Sequence, residues 1–162
     1  MNKWVIGILV LLAILVVVGL VTRKSVRAEI VIQAPPEEVW AVITDPTSYP
    51  EWNPIFVSYD GEFAQGNQIA LQLKMGESDP VGVQVGVKDF VPKEWMHQGG
   101  GIPLILTYDH NWYLEAAPEG TKVTQYEYYT GVYVLFWNPE SARLGYEQAN
   151  KNLKARIEKL RG

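Results

Sequence analysis

The sequence contains no cysteine among its 162 residues. This absence excludes disulfides, thiolate nucleophiles and thiolate metal sites. The sequence also has no P-loop, no GxSxG nucleophile motif and no HExxH metal motif. Its two histidines, His97 and His110, do not have the spacing of a metal-ligand pair. We therefore expect no metal and no cofactor.

Basic charge is scarce in most of the chain. All 18 acidic residues, but only 10 of the 14 basic residues, lie at or after Ala28, which gives this part a net charge of −8. Nucleic-acid binding needs a basic surface that neutralises phosphates. We therefore expect no nucleic-acid partner.

The chain begins with a long uncharged run, from Trp4 to Val21, that is followed by Arg23 and Lys24. At about 1.5 Å per residue, a helix of this length just spans the hydrocarbon core of a bilayer. A cleaved signal peptide is the alternative, although the run exceeds the usual apolar region of about 7–15 residues. We predict a single membrane anchor at 1–24 and one further domain at 25–162. The distribution of basic residues favours a cytoplasmic domain only slightly, so the opposite orientation stays open.

The remainder predicts one antiparallel sheet and two main helices. A helix is indicated at 36–44 and a tight turn or short helical turn at 47–54. The short connections between strands favour an antiparallel meander. Alternation predicts strands at 28–33, 55–59, 68–75, 81–90, 94–98, 108–116 and 121–134. The residues predicted to face inward are Ile69, Leu71, Leu73, Met75, Val81, Val83, Val85 and Val87.

The last helix is predicted to begin near Asn138 and Pro139 and to end near Leu160. Its apolar stripe should lie on the concave face of the sheet, leaving a cavity if the sheet curves more than the helix can fill. The stripe consists of Ala142, Tyr146, Ala149, Leu153, Ile157 and Leu160.

Several separated motifs resemble those of the START-like (SRPBCC) superfamily, in particular its bacterial polyketide cyclase/dehydrase and lipid-transport group. The opening AEIVIQAPPEEVWAVITDPTSYPEWNP carries a PxxxVW helix followed by DxxxYPxWNP. Further matches are Glu94-Trp95, the HxWxL strand from His110, the segment up to Gly131 and the closing NKNLKARIEKL. The resemblance covers residues 28–160.

This resemblance implies an α+β helix-grip fold (START/Bet v1-like), in which a seven-stranded antiparallel sheet wraps a long C-terminal helix. It also implies a mostly apolar tunnel between sheet and helix, and a bacterial inner-membrane location for the anchored chain. It does not imply one reaction, because such folds host carriers, binders and cyclases. Three functions stay open: hydrophobic-ligand binding, a cyclase/dehydrase-type enzyme, and an accessory module whose cavity is filled.

Strand alternation gives the sharpest site hypothesis. If Trp112 points inward, then so does His110, and the next strand places Gln125 and Glu127 on the same side. His110 and Glu127 are therefore the candidates for acid–base catalysis. The alternatives are that they simply satisfy one another, or that both strands face the other way and these residues contact water.

The expected ligand-binding set is broader than this polar cluster. The Gly99-Gly100-Gly101 segment is expected to be a loop, either a gate at the cavity mouth or an ordinary hairpin, and His97 beside it is expected to be solvated. Trp52 and Trp95 are more typical of core residues than of cofactor platforms. The expected set is Trp52, Leu71, Leu73, Val83, Val85, Trp95, Ile102, Leu104, Tyr108, His110, Trp112, Gln125, Glu127, Tyr129, Tyr146 and Leu153.

Overall fold

The computed structural model describes residues 2–74 and 76–162 and has four helices and seven strands in this part of the chain. The helices are α1 (Lys3–Val21), α2 (Pro36–Ile43), α3 (Tyr49–Trp52) and α4 (Glu140–Leu160), with 3-10 turns at Pro46–Ser48 and Val132–Leu135. The strands are β1 (Arg23–Ile32), β2 (Phe56–Asp60), β3 (Gln68–Leu73), β4 (Val81–Val91), β5 (Trp95–Ile102), β6 (Leu106–Ala117) and β7 (Gly120–Thr130).

The strands form one antiparallel sheet in the order β1-β7-β6-β5-β4-β3-β2. Consecutive strands pair as hairpins from β2 to β7, and β1 closes the other edge by pairing with β7 from Arg23–Thr130 to Ile32–Thr121. The helix α4 covers the concave face with the buried side chains of Ala142, Tyr146, Ala149, Leu153 and Ile157. The predicted α+β helix-grip fold with seven strands is confirmed.

Large side chains fill the interior away from the first turns of α4. Trp112, Tyr49, Met96 and Leu153 are completely buried there, and the rings of Trp52 and Trp112 meet edge to face at 6.3 Å. Aromatic side chains of this size bury the largest apolar areas and fill the space between sheet and helices. These aromatic side chains, together with α4, therefore fill much of the expected tunnel.

The helix α1 packs directly against the sheet end. Thr22 alone separates α1 from β1, and Gly19 is the buried residue of α1. A side chain at Gly19 would place its Cβ 2.8 Å from the carbonyl oxygen of Leu104. By length and composition α1 can cross a membrane, and a signal sequence passes the same test.

Several local predictions were wrong, each for a visible reason. Gly99, Gly100 and Gly101 belong to β5 rather than to a loop, and β7 ends at Thr130 because Gly131 takes a φ of 129°. Val81 and Leu160 are exposed because they lie at the ends of their elements. The first strand begins at Arg23, earlier than predicted, since it pairs with β7 as far as Thr130. Met75 lies outside the described residues.

Candidate functional site

A cavity of about 190 Å³ lies between the inner face of the sheet and the beginning of α4. Strands β2, β3, β4, β6 and β7 supply most of its wall, and the segment between β7 and α4 closes one side. Its surface is apolar except for a carboxylate and tyrosine hydroxyls. The lining residues are Phe56, Leu71, Leu73, Val83, Leu106, Tyr108, Glu127, Tyr129, Tyr133, Trp137 and Tyr146.

Burial distinguishes the floor of this cavity from its mouth. Phe56, Leu71, Glu127 and Tyr146 are buried and form the floor. The mouth is formed by half-buried or exposed side chains, namely Leu73, Val83, Leu106, Tyr108, Tyr133 and Trp137. The mouth therefore lies at the sheet end where β7 stops and α4 begins.

Glu127 places a buried carboxylate at the cavity floor. Its Oε2 accepts hydrogen bonds from the hydroxyls of Tyr129, at 2.5 Å, and Tyr146. Burial, followed by the nearby negative charge of Glu127, raises the pKa values of both tyrosines far above the usual range. Both hydroxyls therefore stay protonated donors, which compensates the carboxylate for the water it has lost.

His110 lies beside this group but bonds to no described side chain. Its Nδ1 is 3.8 Å from Glu127 Oε2, which is longer than a hydrogen bond. The imidazole is enclosed by the rings of Phe56, Trp112 and Tyr146, at centroid distances of 5.3, 5.6 and 5.1 Å. Neither ring nitrogen has a hydrogen-bond partner among the described residues. The two tyrosines, rather than His110, are thus the hydrogen-bond partners of Glu127.

A second polar contact fixes α4 on the sheet. Gln125 Nε2 donates to Asn150 Oδ1 at 2.7 Å and to the Tyr146 carbonyl oxygen at 3.5 Å. Gln125 and Asn150 are both fully buried, so this contact fixes which turn of α4 faces β7. It thereby positions Tyr146 above Glu127.

The structure divides the expected ligand-binding residues into three groups. Leu71, Leu73, Val83, Tyr108, Glu127, Tyr129 and Tyr146 line the cavity. Trp52, Val85, His110, Trp112, Gln125 and Leu153 are buried in the packed core around or below it. Trp95 lies on the outer face against Tyr113 and His97, and Ile102 and Leu104 are exposed at the β5–β6 hairpin.

Four lining residues were not expected, and two of them follow from one error. Because β7 was predicted to continue to Val134, Tyr133 and Trp137 could not be assigned to the cavity, whereas the turn after Gly131 brings them over its mouth. Phe56 and Leu106 are the first residues of their strands. The available sequence signal for the turn was Gly131 itself, because glycine readily adopts the positive φ found there.

His97 is not solvated as expected. Its ring lies between Asp89, at 3.1 Å from Nδ1, and Asp109, at 2.8 Å from Nε2, and Lys88 also bonds Asp109. Burial acts to raise the pKa of Asp109, but the hydrogen bonds from Lys88 and His97 outweigh it and hold that pKa below its usual value. Among the described residues, no group of three metal-ligating side chains could hold an ion.

Comparison with known proteins identifies the family. The sequence model described as polyketide cyclase/dehydrase and lipid transport matches residues 23–159. The chain belongs to this family. That match takes in the whole sheet and nearly all of α4, so the cavity of this polyketide cyclase/dehydrase and lipid-transport family member lies within it.

Solved structures agree on the fold of this family member. A protein from Rhodobacter sphaeroides is 18% identical with a TM-score of 0.68, covering 86% of this chain and 93% of that one. A protein from Chromobacterium violaceum is 20% identical with a TM-score of 0.67, covering 83% and 98%. The protein Ara h 8.0201 is 13% identical with a TM-score of 0.63, covering 85% and 99%. A search of curated proteins found no match.

Proposed function

We propose that this polyketide cyclase/dehydrase and lipid-transport family member binds a small apolar or amphipathic molecule in the cavity beneath α4, while α1 holds the domain at a membrane. The observation that carries the proposal is an apolar cavity whose floor bears one carboxylate held by two tyrosine hydroxyls. Apolar walls with few convergent polar groups are typical of small-molecule sites.

The cavity volume limits the ligand. At about 190 Å³ it is smaller than the range of about 300–1,000 Å³ found for most small-molecule sites. An engineered apolar cavity of about 150 Å³ holds benzene, so this volume accepts a ring or one end of a chain. The rest of a longer lipid or isoprenoid would extend through the mouth, past Tyr133 and Trp137.

Glu127 supplies specificity for a polar group. The contacts from Tyr129, Tyr146 and His110 all go to Oε2, so Oε1 is the oxygen proposed to meet a ligand. A carboxylate oxygen accepts hydrogen bonds and donates none. The proposed ligand therefore carries a hydroxyl or another donor at its inserted end.

The proposed membrane anchor is α1, which has a mean hydropathy of 3.2 and exposes most of its side chains. Arg23 follows α1 after the single residue Thr22. A tether of this kind raises the effective concentration of the domain near membrane-dissolved ligands without any new contact.

Acid–base chemistry is a second candidate, favoured by the unpartnered His110 at 3.8 Å from Glu127. The two candidates differ in which molecule should stay bound to a variant that lacks the Glu127 carboxylate. If the pair is catalytic, the molecule bound to Glu127→Gln should differ from the one on the wild type, in mass for a dehydration and in chromatographic retention for a ring closure that conserves mass. Bound molecules that agree in both mass and retention discard the enzymatic candidate.

The binding proposal is tested by filling the cavity. Val83 lines the cavity, whereas Val81 on the same strand is 60% exposed and does not line it, so Val83→Trp and Val81→Trp form a matched pair. Native mass spectrometry of the detergent-purified full chain should show an added small molecule on the wild type and Val81→Trp, and its loss on Val83→Trp. Absence of any added mass on the wild type, or its retention in Val83→Trp, contradicts the proposal.

A further inference from the structure

Two uncharged segments lie together at the cavity mouth. No charged residue occurs between Gly99 and Tyr108 or between Tyr129 and Pro139. They form the β5–β6 hairpin and the turn after β7, and they expose large apolar side chains, with Phe136 84%, Ile102 61% and Ile105 56% exposed. We call residues 102–105 and 132–136 the rim. Contiguous exposed apolar surface of this kind marks an interaction site.

The rim continues into the side of α1. Backbone N–H groups of Val132 and Tyr133 donate to the carbonyls of Leu104 and Ile105 at 2.9 and 3.0 Å, which joins the two segments. Together they form an apolar groove against α1, and Tyr133 lines both this groove and the cavity. The α1 residues of the groove are Leu12, Leu15 and Val16.

The length of α1 fixes the depth of the rim. The 19 residues of α1 span about 28 Å, at about 1.5 Å per residue, and the hydrocarbon core is about 30 Å thick. The helix therefore has no turn to spare outside a bilayer that it crosses. Rim residues pack beside Leu15 and Gly19, which precede the end of α1. These rim residues then lie inside the hydrocarbon core.

Three carbonyl groups of the rim are already paired, as that depth favours. In hydrocarbon, an unpaired backbone group costs several kcal/mol. The carbonyl oxygens of Ile102, Leu104 and Ile105 all accept backbone hydrogen bonds, from Ile105, Val132 and Tyr133 respectively.

Residues favoured at the headgroup level follow next to the rim. Arg23 and Lys24 begin β1, and the Lys24 ammonium donates to the carbonyl oxygen of Trp137 at 2.6 Å. Tryptophan and basic side chains are enriched where membrane and water meet. The order along the surface is thus apolar rim, then tryptophan and cations, then the acidic domain.

We propose that the rim inserts into the lipid bilayer beside α1, so that the cavity mouth opens toward the hydrocarbon and an apolar ligand passes between membrane and cavity without crossing water. This proposal rests on the membrane anchoring by α1 proposed above. It commits the rim to lipid rather than to a second protein.

The test uses the absence of native cysteine, which makes each introduced cysteine unique. Phe136→Cys at the rim and Leu160→Cys at the far end of α4 replace apolar residues that are both exposed, at 84% and 64%. Leu11→Cys in α1 serves as the anchor reference. Each full-length variant is labelled with an environment-sensitive fluorophore and reconstituted in phospholipid vesicles carrying nitroxide on their acyl chains.

The label at position 136 should lose most of its fluorescence to the nitroxide lipids and resist a water-soluble quencher, and the label at 160 should do the reverse. A label at 136 that is quenched from water overturns the rim proposal, whether or not the label at 11 is quenched by lipid. If 11 escapes the lipid quencher, the anchor itself fails as well. A label at 136 protected from both quenchers indicates a protein contact and also overturns the proposal.

Discussion

Glu127 is the side chain on which the candidate site depends. A carboxylate at 4% exposure is tolerated because two tyrosine hydroxyls replace the water that it has lost. One donor comes from its own strand, two residues away, and the other from α4. The contact therefore couples the cavity floor to the position of the helix.

Removing the donor on α4 should show the strength of that coupling. In Tyr146→Phe, Glu127 keeps one donor instead of two, and we expect the free energy of unfolding to fall by about 1–3 kcal/mol. Chemical denaturation of the full chain in detergent measures the change. The control is Tyr133→Phe, since Tyr133 is half exposed at the mouth, and it should unfold as the wild type does. Equal stability of both variants contradicts a stabilising hydrogen bond from Tyr146 to Glu127.

Alternation along strands predicted which of these side chains point inward but not their bonding. His110, Gln125 and Glu127 are all buried on the inner side, as their positions beside Trp112 and Val123 indicated. Tyr129 of the same strand is one partner of Glu127, but Tyr146 and Asn150 reach down from α4 to Glu127 and Gln125. Strand period carries no information on which turn of a distant helix lies opposite.

At the scale of elements, close packing of α1 on the β5–β6 hairpin depends on Gly19. Its missing side chain lets the Leu104 carbonyl oxygen approach the helix backbone. Small residues at a helix contact allow such close approach between backbones. Gly7 on the same helix has nothing within 4 Å of the place where a Cβ would lie.

The two glycines form a matched test of this packing. Leucine at either site removes a glycine penalty of about 1 kcal/mol within a helix. We expect Gly7→Leu to unfold at or above the wild-type temperature, and Gly19→Leu to lose about 1–3 kcal/mol through overpacking against the hairpin. Thermal unfolding in detergent, followed by the near-ultraviolet signal of the tryptophans, distinguishes them. A stabilised Gly19→Leu contradicts the packing of α1 on the domain.

The glycine triplet shows where sequence patterns mislead. Three consecutive glycines predict a loop, yet Gly99 and Gly100 lie in β5, paired with β4 and β6, and neighbouring side chains approach their backbone closely. At Gly99 a Cβ would lie 2.6 Å from Lys88 Nζ, and at Gly100 it would lie 2.7 Å from the Tyr108 hydroxyl. Glycine within a strand often marks such close approach, but only the tertiary structure identifies it.

For the whole molecule, the order of elements and the sheet were predictable, whereas the cavity volume was not. The motifs from Pro36 to Pro54 and from Asn150 to Leu160 predicted the fold. The remaining space depends on how far rings such as Trp112 and Tyr49 fill the concave face. That filling follows from curvature and side-chain rotamers, which no sequence period encodes.

The buried tyrosines predict how stability depends on alkaline pH. Burial is the main cause that raises the pKa values of Tyr49, Tyr59, Tyr129 and Tyr146. In the unfolded chain they would titrate near a pKa of about 10, so above that pH the unfolded state holds fewer protons than the folded state. The free energy of unfolding should therefore fall as pH rises beyond about 10. At lower pH these groups should give it no pH dependence.

Absorbance of tyrosinate against pH measures this directly. Of the nine tyrosines, these four should ionise only together with unfolding. A tyrosinate absorbance equal to that of all nine, reached while the near-ultraviolet signal is intact, contradicts the burial of these four hydroxyls.

The single residue Thr22 between α1 and β1 restricts what an anchored domain can do. A carrier on a long flexible linker can travel between two surfaces, whereas a shorter linker has a shorter reach. With α1 in a bilayer, this domain stays at the surface of that membrane and cannot carry a ligand to another one. Any molecule it holds must be handed to a recipient that comes to it, or returned to the leaflet from which it came.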